Sequence, residues 1–100
     1  MSTNGVTDTG APPFNLDVAW RLHPQVSMRP ERFGALLYHF GTRRLSFVRT
    51  PTLLSVLEQL PAQRSARAAC MAAGVDSDHM QEYAKALATL AASSMICERP

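Results

Sequence analysis

The side chains of this sequence that are most able to do chemistry are its histidines and cysteines, and their spacing forms no recognisable catalytic or metal site. Each histidine falls on a different predicted element and has no Cys or His partner at metal-ligand spacing. His39, on a strand, is expected to be exposed or hydrogen-bonded, and Cys70, among alanines, to be a buried small hydrophobe. The sequence has no glycine-rich phosphate loop and no nucleophile motif. We therefore expect a protein that is not an enzyme and has no catalytic residue, no metal ligand and no cofactor. The residues considered are His23, His39, His79, Cys70 and Cys97.

Length and composition indicate one small soluble domain. The chain has 100 residues, of which 46% are hydrophobic, and this is enough for a modest core. The N-terminus is polar and lacks the apolar stretch of a signal peptide, and no apolar run approaches the roughly 18 residues of a membrane span. Two widely separated cysteines do not make a disulfide scaffold. We expect a reduced, cytoplasmic protein with no membrane partner.

The formal net charge of +2 is small, but the charges are unevenly distributed. The segment between Trp20 and Cys70 carries eight arginines, opposed only by Glu31 and Glu58, whereas the segment after Gly74 is mildly acidic. Such arginines are compatible with an ordinary solvated surface or with attraction of an acidic partner.

Residues 32–60 are the stretch that organises the rest of the chain, and they predict two strands, a tight turn and a helix. An apolar, aromatic run to Phe40 is followed by Gly41-Thr42, which suits a two-residue type II′ hairpin loop. This loop would place Phe40 opposite Arg43. It would also pair Tyr38 with Leu45 and Leu36 with Phe47, on one sheet face that we assign to the core.

The remaining pattern predicts a polar, disordered tail, an extended segment, a first strand and three helices. Proline is expected to end the first strand, Thr50-Pro51 and Asp76 mark helix starts, and an alanine-rich segment predicts the second helix. The predicted segments are 1–13 (tail), 14–23 (extended), 25–29 (first strand, ended by Pro30), 51–60, 65–73 (with Gly74 as the left-handed C′ residue) and a helix beginning after Asp76.

This order of elements predicts an α+β domain over residues 14–97, in which a three-stranded antiparallel sheet is followed by three helices. If sheet order follows chain order, the third strand is an edge with unpaired backbone groups. Arginines near its ends would discourage random edge pairing. The alternative is that the edge accepts an extended peptide by strand addition.

The stretch GALLYHFGTRRLSFVRTPTLLSVLEQL resembles the precursor-peptide-binding chaperones of mycofactocin biosynthesis, a family of the PqqD-like group. These are recognition modules for ribosomally made, modified peptides. The match is strongest over residues 26–60. The resemblance implies a winged-helix-like fold and a precursor peptide that extends the sheet in a cleft between the third strand and the third helix. It further implies presentation of that peptide to a radical S-adenosylmethionine maturase.

Carried onto this chain, the resemblance assigns the peptide-binding residues to two elements. The third strand forms one side of the cleft, and the apolar stripe of the third helix forms the other. The residues so assigned are Arg43, Arg44, Leu45, Ser46, Phe47, Val48 and Arg49 on the strand, and Met80, Tyr83, Ala84, Leu87 and Leu90 on the helix.

The main alternative is a winged-helix regulator that binds nucleic acid with its third helix. Such a helix needs basic residues, but here Lys85 stands alone against Asp76, Asp78 and Glu82, so phosphate would be repelled. A scaffold subunit without peptide specificity is a third possibility. We expect a peptide partner and no nucleic acid.

Overall fold

The computed structural model describes residues 14–100, which form an α+β domain with five strands and three α-helices. The expected three-stranded antiparallel sheet followed by three helices is confirmed. The predicted tail, residues 1–13, lies outside the described residues. None of the helices in the described part is long and apolar enough to cross a membrane. The elements are β1 Trp20–Leu22, β2 Val26–Glu31, β3 Gly34–His39, β4 Leu45–Val48, α1 Pro51–Gln59, α2 Ala66–Ala72, α3 Met80–Ala92 and β5 Ile96–Glu98, with short 3-10 turns at Leu60–Ala62 and Ser77–His79.

The hairpin of β3 and β4 has the predicted register but a different turn. Tyr38 lies opposite Leu45 and Leu36 opposite Phe47, as the alternation predicts. The type II′ turn at Gly41-Thr42 is wrong, because the left-handed residue is Arg43, with φ 63°. The His39 N–H donates to the Arg44 carbonyl (3.0 Å) and the Arg43 N–H donates to the His39 carbonyl (2.7 Å), which closes a loop over residues 40–43.

The predicted core face of this hairpin is also wrong, because the sheet buries the opposite face. Ala35, Leu37 and Val48 are each at most 1% exposed, whereas Leu45 and Phe47 point to solvent. The helices cover the face with smaller aliphatic side chains and leave the aromatic face outside. The buried face includes one polar residue, His39, whose Nδ1 accepts hydrogen bonds from the backbone N–H groups of the following loop. A buried imidazole bonded in this way avoids the cost of an unpaired polar atom.

The first strand of the sheet, β2, continues through Pro30 to Glu31, so the expectation that Pro30 ends it is wrong. The physical reason lies in the hydrogen-bond alternation of the ladder. Phe40 donates its N–H to the Gln25 carbonyl (2.8 Å), which makes these two a hydrogen-bonded pair. Counting along the register, Pro30 and Ala35 form a non-bonded pair, so the Pro30 nitrogen faces the free edge and no ladder bond is lost.

α1 and α2 begin and end within one residue of the predicted bounds, and α3 begins after a 3-10 turn. Thr50 is the N-cap of α1, with Pro51 in the first turn, although the Thr50 side chain makes no capping bond. The Ser65 hydroxyl accepts from the Ala68 N–H (3.0 Å) at the start of α2, and Gly74 follows with φ 91°. Asp76 caps the 3-10 turn that leads into α3, since its Oδ1 accepts from the His79 N–H (3.1 Å).

The two ends of the described chain form a second, two-stranded sheet that the sequence pattern did not predict. Trp20 in β1 pairs with Glu98 in β5, so strand pairing extends to Glu98. The segment before β1 lies against the domain, as expected, but it turns at residues 16–18, so the predicted extended conformation over residues 14–23 is wrong outside Trp20–Leu22. Leu16 and Trp20 are buried, and the rings of Phe14 and Trp20 stack at 4.5 Å. The Leu16 and Val18 carbonyls accept N–H groups at the start of α2, where a helix leaves donors unpaired.

Candidate functional site

The outer side of β4 is a free edge of the sheet, and its backbone groups point away from the domain. The strand order is β2-β3-β4, so β4 has a partner on one side only. The bond between His39 and Arg44 makes these two a hydrogen-bonded pair. Because bonded and non-bonded pairs alternate in an antiparallel ladder, Leu45 and Phe47 belong to non-bonded pairs. Their N–H and C=O groups therefore face outward and are placed to bind another extended chain.

The opposite edge of the same sheet, along β2, is less suited to a guest strand. Pro30 places a nitrogen without a hydrogen on that outer edge, which interrupts the row of donors. No proline lies within β4. The two free edges of the described sheet therefore differ chemically, and β4 is the one that offers uninterrupted outward donors.

An open groove of about 610 Å³ runs between β4 and the C-terminal end of α3. Its helical wall carries small, uncharged side chains whose hydroxyl groups already donate within the helix. Thr89 Oγ1 donates to the Lys85 carbonyl (3.1 Å), and Ser93 Oγ donates to the Thr89 carbonyl (3.2 Å). A wall of small side chains with satisfied donors leaves room for the side chains of a guest chain. The groove is lined by Arg44, Leu45 and Ser46 from the sheet and by Thr89, Ala92 and Ser93 from the helix.

The strand residues assigned from the sequence lie along or next to this edge. Arg43, Arg44 and Arg49 are exposed, and the Arg49 guanidinium lies 5.8 Å from the centre of the Phe47 ring, within cation–π range. Val48 differs, because its side chain is 1% exposed and packs in the core. The strand thus brings positive charge and outward backbone groups to the groove.

The assigned helix residues lie on a different face of α3. Met80, Ala84, Leu87 and Leu90 are buried in the core. Tyr83 is half-buried and lines a separate crevice of about 220 Å³ near Asp76. These five side chains therefore do not line the groove beside β4.

The sequence reasoning missed the groove-lining residues Thr89, Ala92 and Ser93. Their spacing of i, i+3 and i+4 places them on one face of a helix, next to the apolar stripe. A stripe of small, uncharged residues beside the core stripe was the available signal. It does not by itself say which neighbouring element that face meets.

The groups with shifted pKa values lie away from the groove. The hydrogen bond between Asp76 and His79 (2.7 Å), reinforced by their charges, lowers the pKa of the Asp76 carboxyl and raises the pKa of His79. Burial raises the pKa of the Cys70 thiol and so disfavours a reactive thiolate. Within residues 14–100, no three His, Cys, Asp or Glu side chains lie close enough together to hold a metal ion. What the groove offers is backbone hydrogen bonding, positive charge and space.

Comparisons with a family model and with individual known proteins identify the same family. The model of the peptide chaperone MftB family matches residues 19–97. A protein named peptide chaperone MftB from Mycobacterium tuberculosis is 52% identical over 86 residues, covering 86% of this chain and 79% of its own length. The protein of the same name from Mycobacterium ulcerans is 53% identical over 87 residues, with 87% of this chain and 80% of the relative covered.

A third relative of that name, from Mycolicibacterium smegmatis, is 52% identical over 83 residues, covering 83% of this chain and 81% of its own length. The comparison with solved structures found no match. The matched residues include both sides of the groove, β4 and α3. This chain belongs to the peptide chaperone MftB family.

Proposed function

We propose that this chain is a non-enzymatic chaperone that binds a ribosomally made precursor peptide as an added strand along β4, in the groove beside α3. The observation that carries the proposal is the outward direction of the Leu45 and Phe47 backbone groups next to an open groove. Backbone hydrogen bonds would supply affinity with little dependence on peptide sequence, and the groove would select side chains. The printed name of the relatives, peptide chaperone, supports a peptide as the guest.

The proposal extends to the fate of the peptide. By its resemblance to the chaperones of mycofactocin biosynthesis, the chain would present the bound precursor to a radical S-adenosylmethionine maturase. Chemistry would then reside in that partner, because this sequence has only two cysteines, fewer than the three-cysteine signature of such enzymes. The step would take place in the cytoplasm, where the precursor is made.

The site we propose differs from the residues assigned from sequence on the helix side. On the strand side, the proposed site keeps the outer edge of β4 and the arginines at its ends. These residues are Arg43, Arg44, Leu45, Ser46, Phe47 and Arg49. On the helix side it uses the groove-lining face of α3. Those helix residues are Thr89, Ala92 and Ser93.

Amide-resolved NMR of the chain, titrated with the precursor peptide encoded beside its gene, tests this function. We expect saturable shifts at residues 44–47 and 89–93, with smaller changes at residues 77–83, which border the separate crevice. Amides of Leu45 and Phe47 should become protected from hydrogen exchange on binding, because the guest strand takes their outward groups. Shifts centred on β2, or binding of duplex DNA with similar affinity and a steep salt dependence, would contradict the proposal.

A further inference from the structure

The outer face of the sheet is an exposed apolar surface that lies mostly outside the peptide groove. Phe33, Phe40, Leu45 and Phe47 are between 57% and 71% exposed. The register places Leu36 and Tyr38 on the same face, opposite Phe47 and Leu45. Clustered apolar side chains of this kind mark interaction surfaces on soluble proteins, whereas single exposed ones need no explanation. The outer patch consists of Phe33, Leu36, Tyr38, Phe40, Leu45 and Phe47.

A pocket of about 460 Å³ lies at one end of the outer patch. Phe33 and Phe47 from the patch line it, together with Glu31, Gly34, Ala35, Val48 and Arg49. Its volume is sufficient for a large apolar side chain, and interfaces commonly anchor through one such residue inserted into a pocket. The patch therefore has an anchor site as well as a flat apolar area.

The charges around the outer patch select the kind of surface that can cover it. Exposed arginines surround the patch, and the register places Arg29 on the same face, opposite Leu36. One acidic residue, Glu31, lies among them in the β2–β3 hairpin. Face-to-face pairing of two copies of this chain would bring the two sets of arginines together, and like charges across an interface are unfavourable. The favoured partner has an apolar surface with an acidic rim. The arginines are Arg29, Arg32, Arg43, Arg44 and Arg49.

The outer patch is continuous with the peptide groove through Leu45, which belongs to both. A guest strand added to β4 would extend the sheet, and every second side chain of the guest would lie on the same face as the patch. A protein docked on the patch would then contact this chain and the bound peptide at once.

We propose that the outer patch is the docking surface for the enzyme that modifies the bound peptide, through an acidic-rimmed apolar area of that enzyme. This inference rests on the proposed function. The patch recognises the enzyme and the groove recognises the peptide. The two binding events share Leu45 and Phe47, whose backbones face the peptide edge and whose side chains face the patch, and the arginines at the ends of β4. Docking on the patch places the enzyme beside the outward-facing half of the peptide side chains.

The test measures two affinities for each variant: that of a fluorescent precursor peptide, and that of the radical S-adenosylmethionine maturase of mycofactocin biosynthesis. The patch variants are Phe33→Ser and Phe40→Ser, since both side chains are exposed and neither residue belongs to the proposed peptide site. Met71→Ser is the matched control, because Met71 is 64% exposed on α2, outside the patch. We expect maturase affinity to fall about tenfold or more in the patch variants, as for a central interface residue, with peptide affinity nearly unchanged. The control should bind both partners as the original chain does.

A groove variant, Ala92→Trp, separates failure of this inference from failure of the proposed function. It should weaken peptide binding and leave maturase binding to the peptide-free chain intact. Unchanged maturase affinity in both patch variants would overturn the docking surface even if the peptide results hold. Conversion of a dimer to a monomer by Phe40→Ser, measured by light scattering, would show that a second copy covers the patch and would equally overturn the inference.

Discussion

Tyr38 lies directly opposite Leu45 in the ladder between β3 and β4, and this non-bonded pair directs the Leu45 N–H and C=O groups to the free edge. The same pairing places both side chains on the outer face of the sheet. Leu45 therefore contributes its backbone to the proposed peptide edge and its side chain to the surface above it. Backbone and side chain of this residue can be tested separately.

Replacing Leu45 with proline removes the outward N–H while the ladder bonds to β3 remain. Proline is tolerated on an edge strand when its nitrogen faces away from the sheet, as Pro30 shows in β2. We expect peptide affinity to fall about fivefold to tenfold, because one backbone hydrogen bond contributes roughly 1 kcal/mol. Leu45→Ala is the control, since it removes the side chain and keeps the donor. Equal peptide affinities of the two variants, both folded by circular dichroism, would show that the Leu45 N–H does not bind the guest.

Filling the groove from its helical wall should block the guest without disturbing the core. Ala92 is exposed on the groove side of α3, so a tryptophan at this position would occupy part of the 610 Å³ space. We expect Ala92→Trp to weaken peptide binding more than tenfold, with an unchanged melting temperature. The matched control is Gln81→Trp, which adds the same bulk at an exposed position of α3 that does not line the groove. Calorimetric titration of both variants with the same peptide measures the two affinities. Similar affinities would show that the peptide does not occupy this groove.

The arginines around β4 should accelerate encounter with an acidic peptide. Reversing Arg43, Arg44 and Arg49 to Glu is expected to slow association about tenfold at low salt, with the difference shrinking as salt screens the charges. Stopped-flow fluorescence at two salt concentrations measures this. The single changes Arg44→Glu and Arg64→Glu alter net charge equally, but Arg64 does not line the groove. A purely solubilising role for the arginines would give both single variants the same on-rate.

The register of the hairpin could be predicted from the sequence. The alternation of polar and apolar residues and the break after Phe40 favour one pairing of the two strands. The sequence did not predict which face is buried. A period-two pattern separates side chains into two sets, but burial depends on which set the helices cover. Here they cover Ala35, Leu37 and Val48, and the larger aromatic set stays outside. The size and hydrophobicity of the side chains alone favoured burial of the aromatic set, which the structure leaves on the outer face.

Contacts between residues distant in sequence account for the other differences between the predicted and the observed structure. The apolar stripe of α3 was correctly predicted as a helix face, but its packing uses that whole face for the core. The groove is built from the adjacent face, and only the placement of α3 beside β4 makes that face relevant. The pairing of β1 with β5 joins the two ends of the described chain. Three-residue strands give too short a pattern to predict such a pairing.

The ion pair of Asp76 and His79 should be visible in a pH titration. The hydrogen bond that the His79 ring donates to the Asp76 carboxylate, with the negative charges of Asp76 and Glu82, raises the pKa of His79 above its ordinary value of 6.5. The same hydrogen bond lowers the pKa of Asp76 below its ordinary value of 3.8. The His79 contribution to stability is therefore full below pH 6.5 and is lost as pH rises through the raised value. The Asp76 contribution is full above pH 3.8 and is lost as pH falls through the lowered value.

Asp76→Asn keeps a side chain that can cap the turn and removes the charge. We expect the pKa of the His79 ring, followed by NMR, to return towards its ordinary value in this variant. Glu82→Gln is the comparison, because Glu82 contributes less to raising the pKa of His79. A larger effect of Glu82→Gln than of Asp76→Asn would mean that the ion pair is not formed in solution.

The backbone of β4 passes close to Gly34. Adding a methyl group to Gly34 should therefore lower the stability of the protein far more than adding one to Gly74. Both have positive φ, 151° for Gly34 and 91° for Gly74. A Cβ at Gly34 would overlap the carbonyl oxygen of Val48, whereas a Cβ at Gly74 would meet no atom within 4 Å. We expect Gly74→Ala to lower the free energy of unfolding by about 1 kcal/mol, from backbone strain alone. Gly34→Ala should lower it by about 3 kcal/mol or more, because β4 must also shift. Urea denaturation of the two variants measures the difference. Since the shift would move the free edge, Gly34→Ala should also weaken peptide binding in the fraction that remains folded, and Gly74→Ala should not.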